Sequence, residues 1–246
     1  MQTDNTLVSI ISPAYNSAKT IDATIRSVLA QTYPHWEMLI ADDGSKDDTV
    51  ERVRAYDDSR IRLLINEKNM GPAATRNRLI SEARGRYIAF LDTDDEWLPA
   101  KLERQLQLLQ QTGDGIGCTG YRRRFPNKTI DLIPPARIHY QDMLKTNHIP
   151  MLTAIIDRTV HPHIEFAHKG HEDYQLWLEL TRDGDHCSCV QDILAIYNAG
   201  NAASVSSNKL RAAGWHWRIM SREPLPFWRK YYYFFIYMTR GVFKNL

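Results

Sequence analysis

The sequence predicts an α/β fold: a Rossmann-like, mostly parallel sheet flanked by helices. Two observations predict it. Within the first 98 residues, short apolar runs of strand length alternate four times with helical segments, the pattern of successive βα units. Three of those runs end abruptly in residues suited to ligands, at Pro13 to Asn16, Asp42 to Ser45 and Asp92 to Asp95. In a parallel sheet these ends share one edge, where open α/β sheets hold their ligands.

Leu7 to Ser12 is the first predicted strand, expected to end at Pro13, which cannot donate to a ladder. Asn16 or Ser17 is a candidate cap for a helix carrying Ile21, Ile25, Val28 and Leu29 on one face. Pro34 stops it. Trp36 to Ala41 is the second strand, and Asp47 or Asp48 opens a helix reaching about Tyr56. Ile61 to Ile65 is the third strand, and the turn from Asn69 to Pro72 leads into a helix ending about Arg84. Tyr87 to Leu91 is apolar enough for a strand buried on both faces. Leu102, Leu106 and Leu109 then mark a helix over 101–111 whose stripe reads as core. Further on, 116–121, 153–157 and 188–198 read as strands and 172–180 as a helix. The Ala-, Ser- and Asn-rich stretch 198–208 reads as a mobile loop.

With 246 residues, 43% hydrophobic and 24% charged, the chain suits a soluble domain with an appendage. The expected division is a domain over 1–208, with a nucleotide half to about 98 and an acceptor half beyond, then a helical tail over 209–246. Charge is divided the same way. From Lys209 onward eight Lys or Arg face one acid, Glu223, whereas the preceding body holds 23 basic and 28 acidic residues. A basic tail on a mildly acidic body suggests an anionic partner. The three cysteines are too sparse for a disulfide framework. Cys187 and Cys189, without a matched second pair, have poor spacing for tetrahedral zinc, so the histidines nearby do not lead to an expected zinc site. Met1 to Thr6 lacks the basic flank and apolar core of a signal peptide, and no apolar stretch is long enough to span a bilayer. A cytoplasmic location is the expectation.

Chemistry concentrates in the acids. Asp92, Asp94 and Asp95 repel one another unless a cation or a set of donors absorbs their charge. Hard carboxylate ligands suit Mg²⁺ or Mn²⁺ shared with substrate phosphates. Charge complementation of a helix N-terminus is the alternative for Asp95 and Glu96, as for Glu172 and Asp173. Asp42 or Asp43 can also bond its own backbone before Gly44 in an Asx-turn.

The Asp92–Asp95 cluster, Asp42-Asp43-Gly44-Ser45 and Asn69-x-Gly71, in this order and spacing, resemble the family two inverting glycosyltransferases, whose catalytic domain has the GT-A fold. The resemblance spans roughly residues 6 to 200 and points to bacterial enzymes that build surface polysaccharides and teichuronic acids. It implies that Pro13, Ala14, Tyr15 and Asn16 contact the nucleotide base, although Ala18 stands where a Glu is frequent in the family. It also implies that Asp43 accepts a hydrogen bond from uracil, a match between an acceptor-only carboxylate and an imide N–H. Asn69, Gly71 and Arg76 join the nucleotide site, with Arg76 offering charge to the diphosphate or standing as a surface cation. Asp92-Thr93-Asp94 matches the metal motif, and Asp94 or Asp95 is the implied ligand of Mn²⁺ or Mg²⁺. Gly170 to Tyr174 matches the Glu-Asp motif, making Asp173 the implied general base with Glu172 beside it. A Gln-x-x-Arg-Trp signature of processive members does not occur, which implies one sugar per encounter. The implied donor is a nucleotide sugar, UDP-linked, and the implied acceptor a saccharide or lipid-linked hydroxyl.

Two other classes fit less well. A sugar nucleotidyltransferase should carry a Gly-rich loop with Arg and Lys after its first strand, where Pro13 to Asn16 stand. A receiver-like Mg²⁺-binding module should have its acidic pair after the first strand, not the second.

The tail contains eleven aromatic residues. Phe227, Tyr231, Phe234 and Met238 recur at helical spacing, with Arg229, Lys230, Arg240 and Lys244 beside them. This suits a helix lying in an anionic membrane interface, or one packed on the enzyme's own core or on a second subunit. Nucleic acid is not an expected partner, since no recognised module accompanies the pattern.

Overall fold

The structure is a computed structural model that describes residues 6–167, 171–199 and 209–243; of 209–212 and 240–243 only the backbone is described. The first half of the sheet is built as the alternation predicts. β1 (Val8–Ala14), α1 (Ile21–Leu29), β2 (Trp36–Asp42), α2 (Thr49–Arg54), β3 (Ile61–Ile65), α3 (Pro72–Glu82) and β4 (Tyr87–Phe90) follow in order. β1 pairs parallel with β2 and β4, and β2 pairs parallel with β3. β1 runs one residue past Pro13. Its β4 partner reaches only to Ile11, so no strand neighbours Pro13 on that side to miss a donor.

The second half, beyond about residue 98 apart from β5, is mixed rather than parallel. It contains β5 (Glu96–Trp97), α4 (Lys101–Thr112), β6 (Ile116–Arg124), β7 (Thr129–Leu132), β8 (Arg137–Ile138), α5 (Tyr140–Met143), β9 (Ile155–Asp157), α6 (Glu172–Thr181) and β10 (Cys187–Asn198). Among the described residues the strands join in one sheet ordered β3-β2-β1-β4-β9-β6-β10-β5, with β7 against β6 and β8 against β10. β9 is antiparallel to both β4 and β6, so it joins the two halves while keeping β6 and β10 aligned with β1.

Successive strand residues alternate between two cores. Val8, Ile10, Met38, Tyr87 and Ala89 pack with Ile25 of α1 and the Leu102, Leu106 and Leu109 stripe of α4. Ile11, Leu39, Ile88 and Phe90 pack on the opposite face with Leu79 of α3 and Trp177 of α6. Each buried Val, Ile, Leu, Met or Phe side chain among them contributes about 1.5–3 kcal/mol. α7 (Lys209–Arg222) and α8 (Phe227–Phe243) form a helix pair whose Ile219 and Met220 enter the second core. His216 of α7 is stacked between Tyr174 of α6 and Tyr237 of α8, at ring separations of 5.2 and 3.7 Å. Among the described residues, no helix is long and apolar enough to cross a membrane.

Candidate active site

The parallel strands deliver the loops after β1, β2, β3 and β4 to one edge, and polar side chains lace these loops together. The Asn16 and Ser17 backbone N–H groups donate to Ser45 Oγ and Thr49 Oγ1, both at 2.8 Å. Asn16 Oδ1 in turn accepts from the Lys46 N–H at 2.8 Å. Asn16 adopts a left-handed backbone with φ of 50°, a conformation Asn tolerates better than most residues. Pro13 and Ala14 belong to the strand end, whereas Tyr15 is 52% exposed at the rim.

Asp42 and Asp43 do different things. Asp42 Oδ2 accepts from the N–H groups of Gly44 and Ser45, closing an Asx-turn. Asp43 reaches across to the loop after β3. Its Oδ1 accepts from Asn66 Nδ2 at 2.7 Å and the Met70 N–H at 2.8 Å, and its Oδ2 from the Gly71 N–H at 2.9 Å. Gly71 sits at φ 84°, where a side chain would be strained, and Pro72 follows at the start of α3. Asn69 is exposed beside them. Three of about four acceptor positions on Asp43 are used, which leaves room for one more donor on Oδ2.

Arg76, one turn into α3 and only 6% exposed, bridges the two halves. It donates to Asp92 at 2.6 Å and to Glu172 at 2.8 Å. Burial alone would lower its pKa, but Asp92 and Glu172, with Asp173 beyond, raise it instead. Burial pushes the Glu172 carboxyl up against the pull of Arg76. Phe166 packs under the guanidinium, 5.6 Å from its ring centre, and its backbone is pinned to Asn77 of α3 in both directions. The N-terminus of α6 is thereby held against α3. Asp173, in the first turn of α6, accepts from Asn147 Nδ2 at 2.9 Å through Oδ2.

Of the metal motif, Asp92 is turned to Arg76 and Thr93 is buried, its hydroxyl 2.7 Å from Ser17 Oγ. Asp95 is 2% exposed. Its Oδ1 accepts from the Asn198 N–H at 3.0 Å, while Asn198 Nδ2 donates to the Asp94 carbonyl at 2.7 Å. The end of β10 therefore staples the loop after β4. Burial, then the nearby charges of Asp94 and Asp92, push the Asp95 carboxyl well above the usual range. A carboxyl pushed up by burial and by like charges has the electrostatics of a cation site, and the all-oxygen donors fit Mn²⁺ or Mg²⁺.

Asn66, Asn147 and Asn198 are the residues that sequence reasoning missed. Asn66 and Asn198 follow or end strands, a weak signal; Asn147 carries none, because its partner lies 26 positions away. Gly170 of the Glu-Asp motif lies outside the described residues, as does most of the predicted 198–208 loop. His171 packs edge-on against Trp215 of α7.

Comparisons with known proteins show the family and the fold. The family model for glycosyl transferase family 2 matches residues 9–163. The chain is 36% identical over 246 residues to the UDP-Glc:alpha-D-GlcNAc-diphosphoundecaprenol beta-1,3-glucosyltransferase WfgD of Escherichia coli, covering 98% of this chain and 96% of that one. In fold it is similar to S. aureus TarS 1–349 in complex with UDP-GlcNAc, with a TM-score of 0.75 at 18% identity over 95% of this chain and 72% of TarS. It is also similar to the mannosyltransferase PcManGT of Pyrobaculum calidifontis in complex with GDP-Man and Mn²⁺, with a TM-score of 0.70 at 20% identity over 89% and 65% of the two chains. The sheet with its flanking helices is the GT-A fold, and the chain belongs to glycosyl transferase family 2.

Proposed function

We propose that this glycosyltransferase moves a sugar, with inversion and one residue per encounter, from a UDP-sugar to a hydroxyl of a lipid-linked saccharide in surface-polysaccharide synthesis. The observation that carries the reading is the buried Arg76 bridge. It links Asp92 of the metal motif to Glu172, the residue beside the base, so donor and acceptor groups share one rim.

In this reading Pro13 to Asn16 line the base, and the remaining acceptor position on Asp43 takes the uracil N–H. Asn69 and Gly71 border the nucleotide, and Asp94 and Asp95 hold Mn²⁺ or Mg²⁺. A bound divalent ion supplies neutralisation of the departing diphosphate, which removes the need for an acid at the leaving group. Asn147 occupies one oxygen of Asp173 and leaves the other to take the acceptor proton. General-base catalysis of this kind contributes about 10²–10⁴-fold. Arg76, already engaged by two carboxylates, acts by positioning α6 rather than by gripping phosphate. The donor is supported by the UDP-GlcNAc complex of TarS and the acceptor by the name of the E. coli relative.

The outer face of α8 supports a membrane-surface location. Phe227, Trp228 and Phe235 are 69%, 66% and 67% exposed, and Arg229 and Lys230 lie beside them. Aromatic rings with flanking cations suit a helix in the headgroup layer, each basic residue near an anionic leaflet adding about 1 kcal/mol. Phe234 departs from the predicted outward stripe. It packs inward on His216 and Trp217, whereas Phe227, Tyr231 and Met238 of that stripe are exposed, joined by Trp228, Tyr232 and Phe235.

A thermal-shift panel of nucleotide sugars with Mn²⁺ tests the donor. Stabilisation by UDP-sugars with Mn²⁺ is expected; stabilisation by guanosine-linked sugars alone would overturn the uridine reading.

A further inference from the structure

The sheet edge opposite the catalytic rim gathers a second polar cluster. Asp114 stands two residues before β6, and Asp185 and His186 stand immediately before β10. These strands are parallel neighbours, with Ile116 opposite Cys187, so their N-terminal ends lie side by side. β9 runs the other way and brings His161 to the same edge, four residues beyond Asp157. β10 carries this cluster at one end and Asn198 of the catalytic rim at the other, a span matched by β6 from Ile116 to Arg124, roughly 26 Å at about 3.3 Å per residue.

Ligand atoms of Asp114, Asp185 and His186 all lie within 4.8 Å of one another. His186 Nε2 is 2.9 Å from Asp114 Oδ1, yet this buried nitrogen makes no hydrogen bond. Each carboxylate is anchored from outside the cluster. Ser188 Oγ donates to Asp114 Oδ2, and His161 Nε2 lies 2.6 Å from Asp185 Oδ2. Ligating carboxylates are commonly held in this way by outer hydrogen bonds. Gly115 makes the close approach possible: a Cβ there would stand 2.7 Å from Asp185 Oδ2 and 2.7 Å from His161 Cδ2. Beside Asp185 a groove lined by His139, Tyr140 and Arg182 opens to solvent, which supplies an entry path.

We propose that Asp114, Asp185 and His186 form a second metal site, for a Zn²⁺-type ion, separate from the catalytic rim. One imidazole nitrogen with two carboxylate oxygens suits zinc better than Mg²⁺ or Mn²⁺, which favour all-oxygen sets. Four-coordinate zinc with bonds of about 2.0–2.2 Å places its donor atoms roughly 3.3–3.5 Å apart, inside the 4.8 Å span of the three donors and somewhat wider than the 2.9 Å between His186 Nε2 and Asp114 Oδ1. Water from the groove takes the fourth position. Cys187 and Cys189 take no part, since both side chains are buried in the core. The ion clasps the starts of β6 and β10 and, through His161, the segment after β9. Its role is structural, stiffening the acceptor half from behind.

The test uses the full, tag-free chain stripped with a chelator, in the Asp94→Asn/Asp95→Asn background to silence the rim. Zn²⁺ should bind at one equivalent and raise Tm by several degrees, as a ligand selective for the folded state does. Mn²⁺ should not. His186→Ala should lose the Zn²⁺ shift, and Gly115→Ala, which keeps all three ligand residues but crowds Asp185 out of position, should weaken Zn²⁺ at least tenfold. Co²⁺ bound to the rim-silenced protein should give the intense visible bands of a four-coordinate ion. Substoichiometric Zn²⁺, or an unchanged Zn²⁺ shift in folded His186→Ala, overturns the site. Should His186→Ala fail to fold, weak octahedral Co²⁺ bands in the rim-silenced protein overturn it instead.

Discussion

The catalytic rim and the C-terminal helix pair are held together by opposite means. At the rim, buried polar groups find their partners on other loops: Asp43 on the loop after β3, Arg76 on Asp92 and Glu172, Asp95 on the end of β10. In the helix pair, stacked rings join α7 to α8, with Trp217 packed 4.9 Å from Tyr231 and 5.2 Å from Phe234. The contrast teaches that the rim is a geometry to be kept, whereas the helix pair is a surface to be presented. Deleting one polar group at the rim strands its buried partner. Deleting an outward ring on α8 strands nothing.

The largest expected effect is at the proposed base. Asp173→Asn should lower transfer by about 10³-fold, within the usual range for a general base, with UDP and Mn²⁺ affinity kept. Unchanged turnover would remove Asp173 from that role. Arg76→Ala comes next, because it leaves Asp92 and Glu172 facing each other without their shared cation. Unfolding in urea should show about 3–5 kcal/mol lost, and a loss under 1 kcal/mol would mean that the bridge is dispensable.

The helix pair should instead betray itself through pH. Burial, with His171 contributing less, lowers the pKa of His216 from 6.5 to about 3. The unfolded chain therefore takes up a proton below about pH 6.5 that the folded one refuses until about pH 3. Stability from this group is complete above 6.5 and declines as pH falls through that window, by about 2–3 kcal/mol at pH 4.5. Urea midpoints across pH should show that slope, and His216→Phe should flatten it. A parallel slope in both proteins would assign acid lability elsewhere.

Changes on the outer face of α8 should leave the fold untouched. Trp228→Ser with Phe235→Ser should reduce partitioning onto anionic vesicles about ten- to hundredfold, with transfer to a water-soluble acceptor preserved; equal vesicle binding would refute the docking face. The smallest effect belongs to Asn198→Ala, which removes one amide from the Asp94 carbonyl. It should weaken Mn²⁺-dependent UDP binding by about 1 kcal/mol, and calorimetry would detect that.

Much of this was readable in advance because its causes are local. Apolar runs at strand length gave β1 to β4 nearly to the residue, and Asp42-Asp43-Gly44-Ser45 announced a turn closed by one of its acids, but not that Asp42 closes it while Asp43 reaches the loop after β3. The acceptor half was less legible. β5, β7 and β8 are two to four residues long, too short for a period to show. Nothing in the sequence around Asn147 announces a partner 26 positions away, and the strand-end place of Asn198 is too weak a signal to name one 103 positions away.

The sequence by itself determined the alternation of elements, the acids at the strand ends and the helical spacing of the aromatic tail, since each depends on neighbours a few positions apart. Only the tertiary structure decided that Arg76 joins Asp92 to Glu172, that Phe234 turns inward while Phe235 faces out, and that Asp114 meets His186 behind the sheet. Those outcomes depend on which strands become neighbours. Burial then makes an unpartnered charge or an exposed ring costly in one arrangement and satisfied in another, a comparison no local pattern contains.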